Sequence, residues 1–191
     1  MSASSVQTRT GVSIALLMAA AFFAVGGRMV EVARGPLPPR PGVIAPDLAG
    51  PDLESNRVTL DAFRGRVVLV DFWATWCPPC VEMIPKLESV HREFSAQGFT
   101  VLGVNQEPDA KERVAAFLAR RRITFPQVLD DGRMAASYGV HSFPTSFLVG
   151  RDGRIVAVHR GPTLERTLRR EVEAALATTS TSASTPTKIA P

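Results

Sequence analysis

From Val67 to Phe72 the chain is a near-continuous run of β-branched and aromatic residues, which suits a central strand covered on both faces. The period then changes. Between about Cys77 and Gln97 apolar residues stand at Val81, Ile84, Leu87 and Phe94, the spacing of one helix face, and Gly98 supplies a stop. Pro85 lies inside this segment and is expected to kink it, since it lacks an amide donor and clashes with the carbonyl of Val81. Val101 to Asn105 reads as the next strand, and Asp109 to Arg121 as an amphipathic helix with Val114, Phe117 and Leu118 inward. Strands are predicted near Gln127 to Leu129, Ser146 to Val149 and Ile155 to His159, with Asp152-Gly153 as the hairpin turn between the last two. Leu164 to Leu176 reads as a closing helix. Ahead of the core run, a short strand is expected near Arg57 to Thr59, then a turn of helix at Leu60 to Phe63 and a turn at Gly65. Alternating strands and helices followed by a hairpin and a helix predict an α/β domain, a central mixed sheet flanked by helices.

The two ends differ in kind from this middle. Val12 to Val25 carries no charge and is extended by Gly26 and Gly27 before Arg28. Counted from Gly11 it reaches the lower edge of a spanning helix, about 17 to 25 residues. Residues 1–28 are therefore read as an N-terminal membrane anchor or a signal segment. Ala24 and Gly26 would permit cleavage, whereas no cysteine follows to accept a lipid. Flanking charge gives no orientation toward export, because Arg9 alone precedes the segment and Arg28, Arg34 and Arg40 follow it. Residues 29–43 hold Gly35-Pro36-Leu37-Pro38-Pro39-Arg40-Pro41-Gly42, too rich in proline for helix or central strand and expected to form an extended linker. Residues 44–177 form the folded domain. Residues 178–191, mostly Ser, Thr and Ala, are expected to be a disordered tail.

Charge narrows the function classes only a little. The 191 residues carry a formal +4 spread without interleaved aromatics, which gives no nucleic-acid footprint. Cysteine usage says more: both cysteines of the chain lie in Cys77-Pro78-Pro79-Cys80, directly after Trp76. A bridge closing so short a ring restrains the unfolded chain less than a long-range one, so its use is chemical. On one helical turn the two sulfurs share a face and can open and close a disulfide without rebuilding the fold. Half a zinc site and two inert thiols are the alternatives, but zinc takes about four ligands and no second Cys pair exists. His91, His141 and His159 are scattered, and no metal or cofactor is expected.

With these residues assembled, Val68-Leu69-Val70-Asp71-Phe72-Trp73-Ala74-Thr75-Trp76-Cys77-Pro78-Pro79-Cys80 closely resembles the active-site segment of thioredoxins. The likeness extends over about Pro46 to Leu176, including Pro85 and Phe143-Pro144-Thr145, and is nearest to the membrane-anchored TlpA/ResA group. It implies a thioredoxin-like fold with that group's added strand and helix, placed at Asn105 to Phe125. It also implies a domain held outside the bacterial cytoplasm, in the periplasm if the segment is cleaved. Protein disulfides or dithiols are the implied substrates, apocytochrome c among them, and a membrane electron donor of the DsbD/CcdA type the implied recycling partner. Copper-delivery relatives separate their cysteines by three residues rather than two.

Roles follow from residues and resemblance together. Cys77, at a helix N-terminus where orphan amides and the dipole favour a thiolate, is the expected nucleophile, and Cys80 the resolving thiol. Asp71 ends an apolar run, so burial would raise its pKa and suit it to proton transfer; the bland reading is an aspartate at a strand end facing water. By resemblance Pro144 is a cis-proline facing the dithiol, Phe143 pairs its backbone with an extended substrate, and Trp76 flanks the same surface. Trp73 and Tyr138 are read as packing residues. The chain departs from the group at Met83, where glutamate is common, with its acid displaced to Glu82, and at Ser142, where glycine is common. Three classes remain: a disulfide reductase, an oxidase or isomerase of the same fold, and a metal-delivery or partner-binding module.

Overall fold

The computed structural model describes residues 38–178. The anchor or signal segment, most of the linker and nearly all of the tail lie outside the described residues. The elements run β1 (Ala49–Pro51), β2 (Arg57–Thr59), β3 (Val67–Trp73), α1 (Pro78–Phe94), β4 (Phe99–Asn105), α2 (Lys111–Arg121), β5 (Gln127–Leu129), α3 (Arg133–Ser137), β6 (Thr145–Val149), β7 (Ile155–Arg160) and α4 (Glu165–Ala177). Among the described residues no helix is long and apolar enough to cross a membrane.

Every residue of β3 and β4 is buried, as a run without polar alternation requires when both sheet faces are covered. The main sheet has the order β5-β4-β3-β6-β7, with β3 at its centre. β4 and β5 run parallel to β3, whereas β6 pairs antiparallel with β3 and β7 antiparallel with β6. Side chains alternate across it. Val67, Leu69 and Trp73 face a core made with Ile84 and Leu87 of α1, Phe117 of α2 and Val172 of α4. Val68, Val70 and Phe72 face a second core with Met134 and Ala135 of α3, Tyr138 and Phe147. Trp73 and Tyr138 are fully buried in these cores.

Several expectations are corrected at their edges. The helix expected to run to Gln97 ends as an α-helix at Phe94 and closes through a 3-10 turn to Gly98, whose φ of 94° is left-handed. The helix expected from Asp109 starts at Lys111, after a 3-10 turn over Pro108–Ala110. Of the strand and helix placed at Asn105 to Phe125, only the helix lies there; the accompanying strand, β5, follows it. β1 and α3 were not expected at all. The stretch of the linker within the described residues is docked rather than extended away. Pro39 is buried, Gly42 N–H donates to the Ile155 carbonyl at 2.8 Å, and Ile155 N–H donates to the Val43 carbonyl at 2.9 Å.

Candidate active site

Register brings three segments to one end of the sheet. Trp73 pairs with Asn105 and Phe72 with Thr145, so the turn after β3, the turn after β4 and the loop before β6 emerge side by side. The first carries Cys77, which is the N-cap of α1. Pro78 and Pro79 fill the first two helical positions, where a missing amide costs nothing. The first available amide is that of Cys80, and it donates to Cys77 Sγ at 3.3 Å. A thiolate at that position would keep this donor and the helix dipole. The two sulfurs are joined as a disulfide, with Cα atoms 5.3 Å apart. Cys77 is 5% exposed and Cys80 1%, so the outer residue is the one a partner meets.

Asp71 shares the parity of Leu69 and Trp73 on β3 and therefore the face that packs on Cys77 and Cys80. It is buried, which excludes the reading of a strand-end aspartate in water, and its Oδ1 has no hydrogen-bond partner. Burial pushes its pKa up to about 8. Met83 is buried in the same core while Glu82 is exposed, so no glutamate replaces the one common in the TlpA/ResA group.

Across the dithiol, the Phe143–Pro144 peptide bond is cis. Phe143 packs against the core cluster that contains both cysteines. Its ring meets that of Trp76 edge-on at 5.9 Å, and Trp76 is 63% exposed, a large apolar surface held open beside the disulfide. The Pro144 carbonyl accepts from Gly161 N–H at 2.8 Å, which brings the loop after β7 to the same end. Thus Cys77, Cys80, Asp71, Trp76, Phe143 and Pro144 are gathered at one end of the fold.

The histidines are not. His91 Nδ1 accepts from Val101 N–H at 3.4 Å, His159 pairs with Glu171 at 2.7 Å, and His141 is exposed. Among the described residues no group of three His, Cys, Asp or Glu could hold a metal ion.

Two groups near the site escaped the sequence. Glu107, buried after β4, accepts from Thr75, two residues before Cys77. Burial pushes its carboxyl up, but donors from Thr75, Arg113 and Asn105 outweigh it and hold the group below the usual glutamate range. The only hint was an acid following a strand that would lie parallel to β3. Gln127 on β5 accepts from Trp73 Nε1 at 3.0 Å, and nothing in the sequence linked the two.

A mixed sheet with a helix-capping dithiol, a cis-proline opposite and a buried acid beneath defines a thioredoxin-like thiol–disulfide oxidoreductase. The AhpC/TSA family model matches residues 41–158, and the chain belongs to that family. It is 35% identical over 124 residues to the thiol-disulfide oxidoreductase ResA of Halalkalibacterium halodurans, covering 64% of this chain and 69% of the relative. With ResA of Geobacillus thermodenitrificans the identity is 34% over 134 residues, or 69% and 76%. Among solved structures, the thioredoxin domain of a thiol-disulfide oxidoreductase from Bacteroides vulgatus is similar with a TM-score of 0.64 and 32% identity, covering 71% of this chain and 96% of that one.

Proposed function

We propose that this oxidoreductase works as a reductase of protein disulfides outside the bacterial cytoplasm, held to the membrane by residues 1–28. The observation that carries the catalytic part is the dithiol at the start of α1 with a buried acid on the same core face. Cys77 thiolate attacks one sulfur of a partner disulfide; a Cys77–partner bond forms as the partner's own bond breaks, and its other sulfur leaves as a thiolate that takes a proton. The ionised fraction of Asp71, about a tenth at pH 7 for a pKa of about 8, then accepts the Cys80 proton. The Cys80 sulfur attacks Cys77 Sγ, the second partner thiol leaves, and the partner has gained two electrons and two protons. An acid with a pKa of about 8 suits this step, since near neutrality it exchanges protons readily with a thiol. Trp76, Phe143 and Pro144 form the wall against which an extended partner segment lies.

The direction of transfer, the anchor and the partners rest on the likeness to ResA and the TlpA/ResA group. A membrane thiol carrier of the DsbD/CcdA type would return the two electrons, and apocytochrome c before haem attachment is the favoured substrate. The test is twofold. A Cys80→Ser variant should trap disulfide-linked partners from an extracytoplasmic extract, and recovery of none would sink the exchange reading. Titration against a glutathione or dithiothreitol buffer should give a potential near about −270 mV, as in thioredoxin; a value near about −120 mV would make the protein an oxidant instead.

A further inference from the structure

The turn between β3 and α1 is short of backbone partners. Trp73 ends the strand and Pro78 begins the helix, so Ala74, Thr75 and Trp76 belong to neither ladder. One bond inside the turn runs from Cys77 N–H to the Ala74 carbonyl at 3.3 Å. Thr75 is held from outside. Its N–H donates to Glu107 Oε2 at 2.5 Å and its hydroxyl to Glu107 Oε1 at 2.9 Å, so one carboxylate grips backbone and side chain of one residue. Glu107 is itself fixed. Arg113 of α2 donates to Oε1 at 2.6 Å, Asn105 Nδ2 lies 3.5 Å from Oε2, and Glu107 N–H donates to Asn105 Oδ1 at 2.9 Å. Only a carboxylate accepts at both oxygens in this way. The grip falls on backbone and side chain of the residue two before Cys77, at the dithiol end of the sheet. We infer that Glu107 is a positioning residue for thiol exchange: by clasping Thr75 it fixes where Cys77 Sγ and the exposed Trp76 stand relative to the Phe143–Pro144 wall. The inference rests on the dithiol reading above and extends it to a residue 30 positions away in the chain.

Attack on a disulfide needs the sulfurs aligned, and misplacement by about 1 Å can cost on the order of a hundredfold in rate. The experiment compares wild type, Glu107→Ala, Glu107→Gln and Thr75→Val in the full chain, after reduction. Rates of attack on a small aromatic disulfide and on a disulfide-bonded peptide are followed across pH, and thermal midpoints are recorded. Glu107→Ala should lose about tenfold or more in attack rate and shift the pH at which the Cys77 thiol ionises. Glu107→Gln keeps an acceptor for the Thr75 N–H but sets amide donors against Arg113, so it should fall between Glu107→Ala and wild type. Tyr138→Phe, in the opposite core, serves as a control of lowered stability and should lose none. If Glu107→Ala reacts as fast as wild type with the same pH profile, or loses no more than the control, the inference is overturned. Should that variant not fold, Thr75→Val decides: about a threefold loss supports the clasp, and an unchanged rate and profile refute it. A wild type that exchanges no thiols sinks the oxidoreductase reading as well, whereas an active wild type beside unchanged variants sinks only this inference.

Discussion

Asp71→Asn tests the buried acid through stability rather than through catalysis. The carboxyl titrates near 3.8 in the open chain and at about 8 in the fold, a gap of about four pH units. At about 1.4 kcal/mol per unit the folded state's preference for the neutral acid amounts to roughly 5 to 6 kcal/mol over the whole window. Below about pH 4 both states hold the proton and the preference costs nothing. As pH rises from there the unfolded chain releases its proton while the folded chain keeps it, so stability falls steadily until about pH 8 and then levels. An asparagine holds no such proton and removes the slope. It also brings two amide donors to a place where Oδ1 already lacks a partner, a penalty of about 1–3 kcal/mol that does not depend on pH. The slope is therefore the quantity to measure. Guanidinium unfolding of the oxidised protein at about pH 5 and pH 8 should show wild type losing roughly 4 kcal/mol more than the variant over those three units. Parallel curves, with a constant offset between the two proteins, would refute a buried aspartic acid neutral at pH 7. In turnover the same variant should accumulate the mixed disulfide at neutral pH, since Cys80 loses its proton acceptor.

Three further changes probe the scaffold around the site. Gly103→Ala would set a Cβ 2.8 Å from Gln127 Cδ, forcing that side chain off the Trp73 indole; a loss of about 1–3 kcal/mol and altered Trp fluorescence on calorimetry and emission spectra are expected. Tyr138→Phe removes the hydroxyl that donates to the Pro46 carbonyl at 2.8 Å and should cost about 1 kcal/mol in denaturant unfolding with thiol exchange unchanged. Burial pushes Glu88 up, but donors from Thr124 and Arg92 outweigh it and hold its carboxyl below the usual range. Its contribution is therefore present at neutral pH and fades on acidification. Glu88→Gln should be less stable than wild type by about 1–2 kcal/mol at pH 7, with the gap closing as pH falls below the ordinary glutamate range.

What could be read from the chain divides along the distance over which each residue finds its partners. β3 was legible as a near-continuous apolar run and α1 as a long one-face period, and Asp71 because an acid in such a run contradicts its surroundings. The dithiol is local, four residues with the helix start written into them. By contrast, β1 has three residues, and its Gly50 marks a close approach to Val128 and Met134 that only the folded chain creates. α3 has five, and what starts it is Asp130, whose carboxylate accepts the amides of Gly132, Met134 and Ala135, bonds that no hydrophobic period announces. Residues 38–43 look like a free spacer because proline excludes them from a central strand. Their bonds to β7 satisfy a sheet edge more than a hundred positions later.

The same division runs through the site. Reacting atoms lie close together in the chain, but the groups that hold them in place do not: Glu107 meets Thr75 across 32 positions and Gln127 meets Trp73 across 54. Both contacts depend on β4 and β5 adding parallel to β3, since that direction brings the ends of β3 and β4 together and sets Gln127 beside Gly103. A four-residue motif is thus enough to name the chemistry, while the rate at which it runs depends on strand pairings that no local pattern records. Substitutions in β4, β5 and the turn after β4 should therefore alter exchange rate more than the choice of reaction, and substitutions in Cys77-Pro78-Pro79-Cys80 should alter both.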